Sequence, residues 1–256
     1  MTPSAAGRRP SYAYLDAPWP IAFAHRGGAG DGVENALSSF AAVQALGYRY
    51  VETDVRTTAD GVPVVFHDED TSRLTGSPAR IADLPLADVT ALSLQGGERI
   101  ATLEQALDGF PGLRFNLDLK DAGSVRSVPQ VLARTAAAPR VCLTSFAERR
   151  VRAVRRAVGP AVCTGLGVGG VALLLAGGPV GPAAVAQLPW VLPGGRRLPA
   201  RVVRTAHRRG LAVHVWTVDE PAEMTAALEL GVDGIMTDRP AVLRRVLAGR
   251  GLWPAS

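Results

Sequence analysis

Short apolar runs alternate with amphipathic segments along most of the chain. The runs have the length of buried strands, and the segments at 38–46, 148–158, 199–209 and 221–230 have the apolar spacing of helices. Eight strands with intervening helices predict a (β/α)8 TIM barrel, with an open doubly wound sheet as the alternative. We expect one barrel domain over residues 21–250. The predicted strands are 21–24, 50–55, 114–119, 141–144, 161–165, 185–188, 211–216 and 234–237.

One further apolar run, 63–67, does not fit this alternation. It follows the second strand after only the residues RTTADGV, which are too few for a helical crossover. We interpret Asp60-Gly61 as a turn and the run as a hairpin arm beside the barrel. Residues from about 56 to 100 are therefore predicted to form a hairpin and an excursion over one rim. Thr102 and Gln105 have the spacing of a capping box that starts the next helix.

Composition and charge narrow the class of protein. With 47% hydrophobic residues and a mean hydropathy of +0.14, the chain is globular. Its net charge is +5, but the arginines are scattered and not interleaved with aromatic residues, so we do not expect nucleic-acid binding. A mild attraction for anionic substrates or lipid surfaces remains. Cys142 and Cys163 fall on adjacent predicted strands, and we favour buried thiols over a disulfide.

The sequence shows no segment that would cross or enter a membrane. Arg8-Arg9 is not followed by an apolar stretch, so residues 1–20 are predicted to be a loose tail without an export signal. The most apolar window, 168–180, is broken by glycines and is too short to span a bilayer. We therefore expect a soluble cytoplasmic protein without stable membrane insertion, and the sequence leaves its oligomeric state open.

Polar residues collect where the predicted strands end. His25 and Arg26 follow the first strand, and His67 ends the hairpin arm. Glu52 and Asp54 lie two residues apart on the second strand, so their side chains point the same way. Two carboxylates side by side are costly unless a cation lies between them or one holds a proton. Barrel enzymes place their active sites at the carboxyl ends of the strands, where these groups would meet.

The strand 114–119 carries a second polar face. Asn116, Asp118 and Lys120 alternate with Leu117 and Leu119, so the polar residues share one face. A half-exposed strand with polar residues facing water is the alternative interpretation. Lys120 is, however, the only lysine in the chain. An ammonium is a compact donor that can lie against an oxyanion, and we place Lys120 in the site.

The acidic residues form a candidate metal site. Glu52, Asp54 and Asp118 can converge from neighbouring strands, and three oxygen donors suit a hard divalent cation, Mg2+ or Ca2+. Zinc is not favoured, because no histidine pair or cysteine cluster has its spacing. The alternative is a salt-bridge network of these acids with Arg26 and Lys120.

Four motifs together carry a family resemblance. His25-Arg26-Gly27, Glu34-Asn35, Glu52-x-Asp54 and His67-Asp68, in this order, resemble the glycerophosphodiester phosphodiesterase family. The segments Trp216-Thr217-Val218-Asp219 and Thr237-Asp238-Arg239-Pro240 are similar to its later elements. The chain departs from the family at Asp118, where glutamate is usual, and at Asp219, where asparagine is usual.

The resemblance implies a metal-dependent phosphodiesterase on a TIM barrel. His25 and His67 would be the catalytic acid and base, assisted by Lys120, and Arg26 and Lys120 would bind the phosphate. Glu34 would hydrogen-bond near the site. Trp216 would wall the pocket, with a plug inside the barrel as the alternative role. Asp238 would support the site without binding metal.

The implied reaction is hydrolysis of a glycerophosphodiester to glycerol 3-phosphate and an alcohol. One alternative is lysophospholipase D-like cleavage of acylated substrates, for which the window 168–180 could supply an apolar groove. Another is a catalytically silent barrel. Two histidines lie outside the motifs: we expect His214 to be a hydrogen-bonded core residue and His207 to lie on the surface of a helix.

Overall fold

A computed structural model describes residues 11–254 of the chain. Strands and helices alternate along it, as the sequence predicts. The strands are β1 (Ile21–Ala24), β2 (Tyr50–Thr57), β3 (Pro63–Val65), β4 (Arg114–Leu119), β5 (Val141–Thr144), β6 (Cys163–Thr164), β7 (Val185–Pro189), β8 (Val191–Leu192), β9 (Arg196–Arg197), β10 (Ala212–Trp216) and β11 (Gly234–Thr237). The α-helices are α1 (Leu37–Ala45), α2 (Ser72–Thr75), α3 (Leu86–Ala91), α4 (Leu103–Gly109), α5 (Ser124–Arg134), α6 (Glu148–Val158), α7 (Val168–Leu175), α8 (Ala200–Arg208), α9 (Pro221–Leu230) and α10 (Pro240–Gly249).

Eight parallel strands form a nearly closed barrel. Their order is β6-β5-β4-β2-β1-β11-β10-β7, and a parallel bridge between Gly165 and Val185 joins the two ends of the sheet. The barrel and its intervening helices confirm the predicted TIM-barrel fold. Closure removes the exposed edges that an open sheet would leave. β6 is shorter than predicted, two residues at Cys163–Thr164, and an isolated bridge rather than a regular ladder is recorded between this end of the sheet and β7.

The hairpin and the excursion are present. β3 pairs antiparallel with β2, with Val55 opposite Val65, so the run after Asp60-Gly61 is a hairpin arm. Residues after it pack as a small separate apolar cluster that includes Phe66, Ile81 and Ile100. The capping box is also confirmed, because Thr102 and Gln105 exchange side-chain and backbone hydrogen bonds at the start of α4.

Five helices and a hairpin have no counterpart in the sequence prediction: α2 and α3 within the excursion, α5, α7, the final helix α10, and the hairpin β8–β9. α5 contains Pro129, a residue type that usually argues against a helix interior. α7 is made almost entirely of apolar and glycine residues, so it shows no polar face from which a period could be read. The hairpin β8–β9 follows β7 directly. α7 and this hairpin both lie beyond the carboxyl ends of barrel strands.

The described part of the predicted tail is packed. Tyr14 and Leu15 are buried, and the hydroxyl of Tyr50 donates to the carbonyl oxygen of Tyr14 at 2.6 Å. They join an apolar cluster at the amino-terminal end of the barrel. The prediction of a loose tail is therefore wrong for this part, because aromatic side chains cover the strand ends. Arg8-Arg9 lies outside the described residues.

The structure also shows where the two cysteines and the two histidines outside the motifs lie. Cys142 and Cys163 lie opposite each other on β5 and β6, and both are buried and free, as predicted. His214 is fully buried, but neither ring nitrogen has a hydrogen-bond partner among the described residues, so the expected pairing is wrong. His207 lies on α8, partly exposed, with Nε2 2.6 Å from Asp233. None of the described helices has the length and apolar character needed to span a membrane.

Candidate active site

The predicted site residues meet in one cavity of about 550 Å3 at the carboxyl ends of the strands. Strand alternation explains the convergence, since side chains two residues apart share the inward face. Glu34 is just outside the cavity and reaches it through Arg26. The predicted residues that line the cavity are His25, Arg26, Glu52, Asp54, His67, Asp118, Lys120 and Trp216.

The register of β2 and β4 brings the acids together. Asp54 lies opposite Asp118, and Lys120 follows at the end of β4. Lys120 Nζ is 2.9 Å from Asp54 Oδ1 and 2.6 Å from Asp118 Oδ2. Burial lowers the pKa of Lys120, but these two carboxylates outweigh burial and raise it above its ordinary value. The lone lysine is therefore held charged between two acids, as its compact ammonium allows.

Glu52 and Asp54 have opposite electrostatic environments. Burial raises the pKa of Glu52 to about 7, and the neighbouring Asp54 charge adds to the effect. Burial also acts on Asp54, but Lys120 and other nearby cations outweigh it and lower the pKa of that carboxyl. Within residues 11–254, Glu52 Oε2 accepts one hydrogen bond, from the backbone N–H of Arg26 at 3.1 Å, and lies 3.7 Å from His25 Nε2. Glu52 is therefore a buried carboxylate without a strong cationic partner.

His25 is oriented from behind by Asp238. Nδ1 of His25 is 2.6 Å from Asp238 Oδ1, which leaves Nε2 facing the cavity. Burial lowers the pKa of His25, but Glu52 and Asp238 outweigh burial and raise it. Asp219 in turn accepts from the backbone N–H of Asp238 and from the hydroxyl of Thr237. Asp238 thus has the supporting position predicted for it, and Asp219 serves it as an acceptor.

His67 also lines the cavity, just after β3. Its Nδ1 is 2.7 Å from Asp68 Oδ1, and Asp68 also accepts from Arg73 Nε at 2.6 Å. Arg73 forms two further hydrogen bonds to Glu34. Arg73 carries no signal in the sequence, because it lies on the short α2 within an excursion of weak periodicity.

The turn after β1 positions Arg26. Arg26 has φ of 51° and Gly28 has φ of 90°, and a Cβ on Gly28 would lie 2.7 Å from Pro240, so glycine is required there. Arg26 Nη1 donates to Glu34 at 3.2 Å, and its Nε lies 3.4 Å from Asp54. Glu34 thus bonds near the site, as predicted, by holding the guanidinium at the cavity wall.

Residues 25–242 match the family model of the glycerophosphoryl diester phosphodiesterases. The chain belongs to this family. A probable glycerophosphodiester phosphodiesterase 2 from Mycobacterium tuberculosis is 38% identical, over 96% of this chain and 98% of its own length. A human lysophospholipase D is 26% identical, over 87% of this chain and 84% of its own. A solved structure from Silicibacter pomeroyi that carries the family's name has a TM-score of 0.81 and 26% identity, covering 95% of this chain and 100% of that one.

The family match confirms the family that the sequence predicts. It also confirms the predicted enzyme class, which is phosphoric diester hydrolase. The matched residues begin at His25 and extend past Asp238, so they include every predicted site residue. In this glycerophosphoryl diester phosphodiesterase the cavity also has an apolar wall. Phe146 lies there, with its ring 5.6 Å from Lys120 Nζ and 5.6 Å from the ring of Trp216. Trp216 therefore lines the cavity, as the first of its two predicted roles requires.

The carboxylate oxygens of the three acids are the kind of ligand that a hard cation requires, because Mg2+ and Ca2+ prefer oxygen ligands. Asp118 Oδ1 is buried and finds no hydrogen-bond partner within the described chain, and Glu52 lacks a strong cation. Lys120, however, bridges Asp54 and Asp118, and across residues 11–254 no three histidine, cysteine, aspartate or glutamate side chains are arranged to hold an ion. The donors fit a cation chemically, and the predicted salt-bridge alternative is present. The cation itself stays a prediction.

Proposed function

We propose that this enzyme hydrolyses glycerophosphodiesters, such as glycerophosphocholine or glycerophosphoethanolamine, to glycerol 3-phosphate and an alcohol. The proposal is carried by one observation, the convergence of two histidines, three acids and the only lysine on a single cavity. Both the family match and the name of the 38% identical relative support the substrate class. The cytoplasmic location stays a prediction from the sequence.

Arg26 and Lys120 would neutralise the phosphate. Both side chains line the cavity, and both are already held in place by acids, Arg26 by Glu34 and Lys120 by Asp54 and Asp118. Preorganised donors stabilise developing charge without reorganising during the reaction. Lys120 can shift its contact from a carboxylate to a phosphate oxygen because an ammonium donates in several directions.

His25 and His67 would move the protons. One removes a proton from the attacking hydroxyl and the other protonates the leaving alkoxide. If water attacks, glycerol 3-phosphate forms directly; if the substrate's own hydroxyl attacks, a cyclic phosphate forms and water then opens it to glycerol 3-phosphate. Each ring is held at Nδ1 by an aspartate, His25 by Asp238 and His67 by Asp68. That arrangement leaves the other ring nitrogen, Nε2, to exchange a proton with the substrate.

A divalent cation, Mg2+ or Ca2+, would be held by Glu52 and Asp118, with Asp54 beside them. When bound, it would polarise a phosphate oxygen and lower the pKa of a coordinated hydroxyl. The buried charge of Glu52 and the free Oδ1 of Asp118 support this choice of ligands. Arg26 and Lys120 would contact the phosphate whether or not the cation is bound.

The comparisons do not favour the alternative of lysophospholipase D-like cleavage. The relative of that name is 26% identical, whereas the relative named a glycerophosphodiester phosphodiesterase is 38% identical over almost the whole chain. A catalytically silent barrel is also less supported, because no predicted catalytic residue is displaced from the cavity.

Coupled detection of glycerol 3-phosphate from glycerophosphocholine tests the proposal. We expect His25→Ala and His67→Ala each to lower kcat by about 100-fold or more, the usual contribution of acid–base catalysis. We expect chelation to abolish turnover and added Mg2+ or Ca2+ to restore it. His207→Ala is the matched control, because His207 lies on α8 away from the cavity. Turnover that survives chelation and either substitution would contradict the mechanism.

A further inference from the structure

Charge is divided very unevenly along the chain. Residues 122–218, which run from just before α5 to just after β10, contain fourteen arginines and a single acidic residue, Glu148. The rest of the chain contains twenty-two acidic and fourteen basic residues. The modest net charge of +5 therefore conceals one strongly basic half of the barrel and one acidic half.

Exposed apolar side chains lie in the same half. Among the described residues, five of the six large exposed hydrophobic side chains fall between positions 146 and 191, and they follow the carboxyl ends of β5, β6 and β7. Three of the five also line the mouth of the cavity. Exposed apolar residues that gather at one rim mark an interaction site, whereas single scattered ones do not. The five are Phe146 (56% exposed), Val168 (60%), Leu173 (39%), Leu175 (58%) and Val191 (52%).

Three exposed arginines follow the same strand ends. Arg149 is the second residue of α6, Arg196 lies in the β8–β9 hairpin, and Arg201 is the second residue of α8. All three are exposed, and their side chains form no hydrogen bond or ion pair with any residue from 11 to 254. Each follows the carboxyl end of a barrel strand, so the free charges face the same side as the cavity mouth.

We propose that this basic and apolar rim docks the enzyme on an anionic lipid surface, with the cavity mouth toward the lipid headgroups. Peripheral lipid binding needs apolar side chains that enter the interface and cations that face acidic headgroups, and the rim supplies both. A protein surface that binds nucleic acid would instead offer aromatic or polar side chains to contact the bases. Four of the five exposed apolar residues here are aliphatic. Docking requires no spanning helix.

Sedimentation with sucrose-loaded vesicles tests this docking without any turnover, so its result is independent of the proposed reaction. We expect the full chain to bind vesicles of phosphatidylcholine containing about one third phosphatidylglycerol, and to bind pure phosphatidylcholine at least about tenfold more weakly. Binding should weaken as salt is added, because screening shortens the reach of the arginine charges.

Two variants separate the charged from the apolar contribution. The triple change Arg149→Glu, Arg196→Glu and Arg201→Glu should lower the partition coefficient at least about 100-fold, since each arginine near an anionic surface contributes roughly fivefold. The pair Leu173→Ser and Val191→Ser should lower it about tenfold. None of these five residues lines the cavity, so turnover of soluble glycerophosphocholine should be retained.

Matched controls come from the acidic half. Arg245 and Leu252 are exposed beyond β11, away from the rim, and Arg245→Glu with Leu252→Ser should leave vesicle binding unchanged. The proposal is overturned if anionic vesicles are not bound at low salt, or if the controls reduce binding as much as the rim variants. It is also overturned if a single-stranded oligonucleotide, rather than the vesicles, is bound and then lost in the triple variant.

Discussion

Replacing Glu52 with glutamine should stabilise the enzyme in the absence of metal. The side chain is 7% exposed, and burial beside Asp54 raises its pKa from 4.5 to about 7. In the folded state this carboxyl keeps its proton to higher pH than in the unfolded state. Stability is therefore lost as pH rises from 4.5 through 7, and the loss persists above that range. The difference between the two pKa values corresponds to about 3 kcal/mol.

Differential scanning calorimetry in chelator measures this effect. For a chain of this size, about 3 kcal/mol corresponds to a rise in Tm of roughly 6 to 12 °C for Glu52→Gln at about pH 8. At about pH 5, where Glu52 is protonated in the folded state, the gain should nearly vanish. The glutamine oxygen can still accept from the backbone N–H of Arg26, so the local structure is preserved. Added Mg2+ or Ca2+ should raise the Tm of the wild type more than that of the variant.

Glu34→Gln is the matched control, and we expect it to lower Tm where Glu52→Gln raises it. Glu34 is also largely buried, but Arg26 and Arg73 both pair with it. Removing its charge takes one of two acidic partners from each arginine, since Arg26 keeps Asp54 and Arg73 keeps Asp68, and should lower Tm by an amount equivalent to about 1 kcal/mol. A Tm for Glu52→Gln that equals or falls below that of the wild type at pH 8 in chelator would refute the reasoning. It would mean that the Glu52 charge is already compensated.

Three further predictions follow from single contacts. Burial lowers the pKa of His214 to about 4, so the free energy of unfolding should fall as the pH drops from 6.5 to 4. His214→Leu should remove about 3 kcal/mol of this acid-induced loss, measured by urea titrations at several pH values. An unchanged acid dependence in the variant would contradict the prediction. Lys120→Arg should lower kcat/KM at least about tenfold while the circular dichroism spectrum stays native, because a flat guanidinium cannot reproduce the two short contacts of Nζ. Thr102→Ala should cost about 1 kcal/mol by removing the capping box, and equal Tm values would exclude that contribution.

Much of the barrel could be predicted because buried parallel strands are short apolar runs. Arg114–Leu119 and Gly234–Thr237 were predicted at their observed bounds. α7 could not be predicted in the same way, since a helix without polar residues has no period to detect. The residues of the site were predictable for a related reason, because alternation along one strand determines which side chains share a face.

Alternation does not determine which charges pair across strands. Glu52 and Asp54 are equivalent in the sequence, two acids on one face of β2. The register with β4 separates them, because it places Asp118 and then Lys120 beside Asp54, whereas Glu52 lies opposite Asn116. One acid is consequently compensated and the other is not. Register depends on contacts between segments about sixty residues apart, which no local pattern contains. The uncompensated acid is therefore where an added positive charge would be stabilised most, and the ion response of Glu52→Gln tests this inference directly.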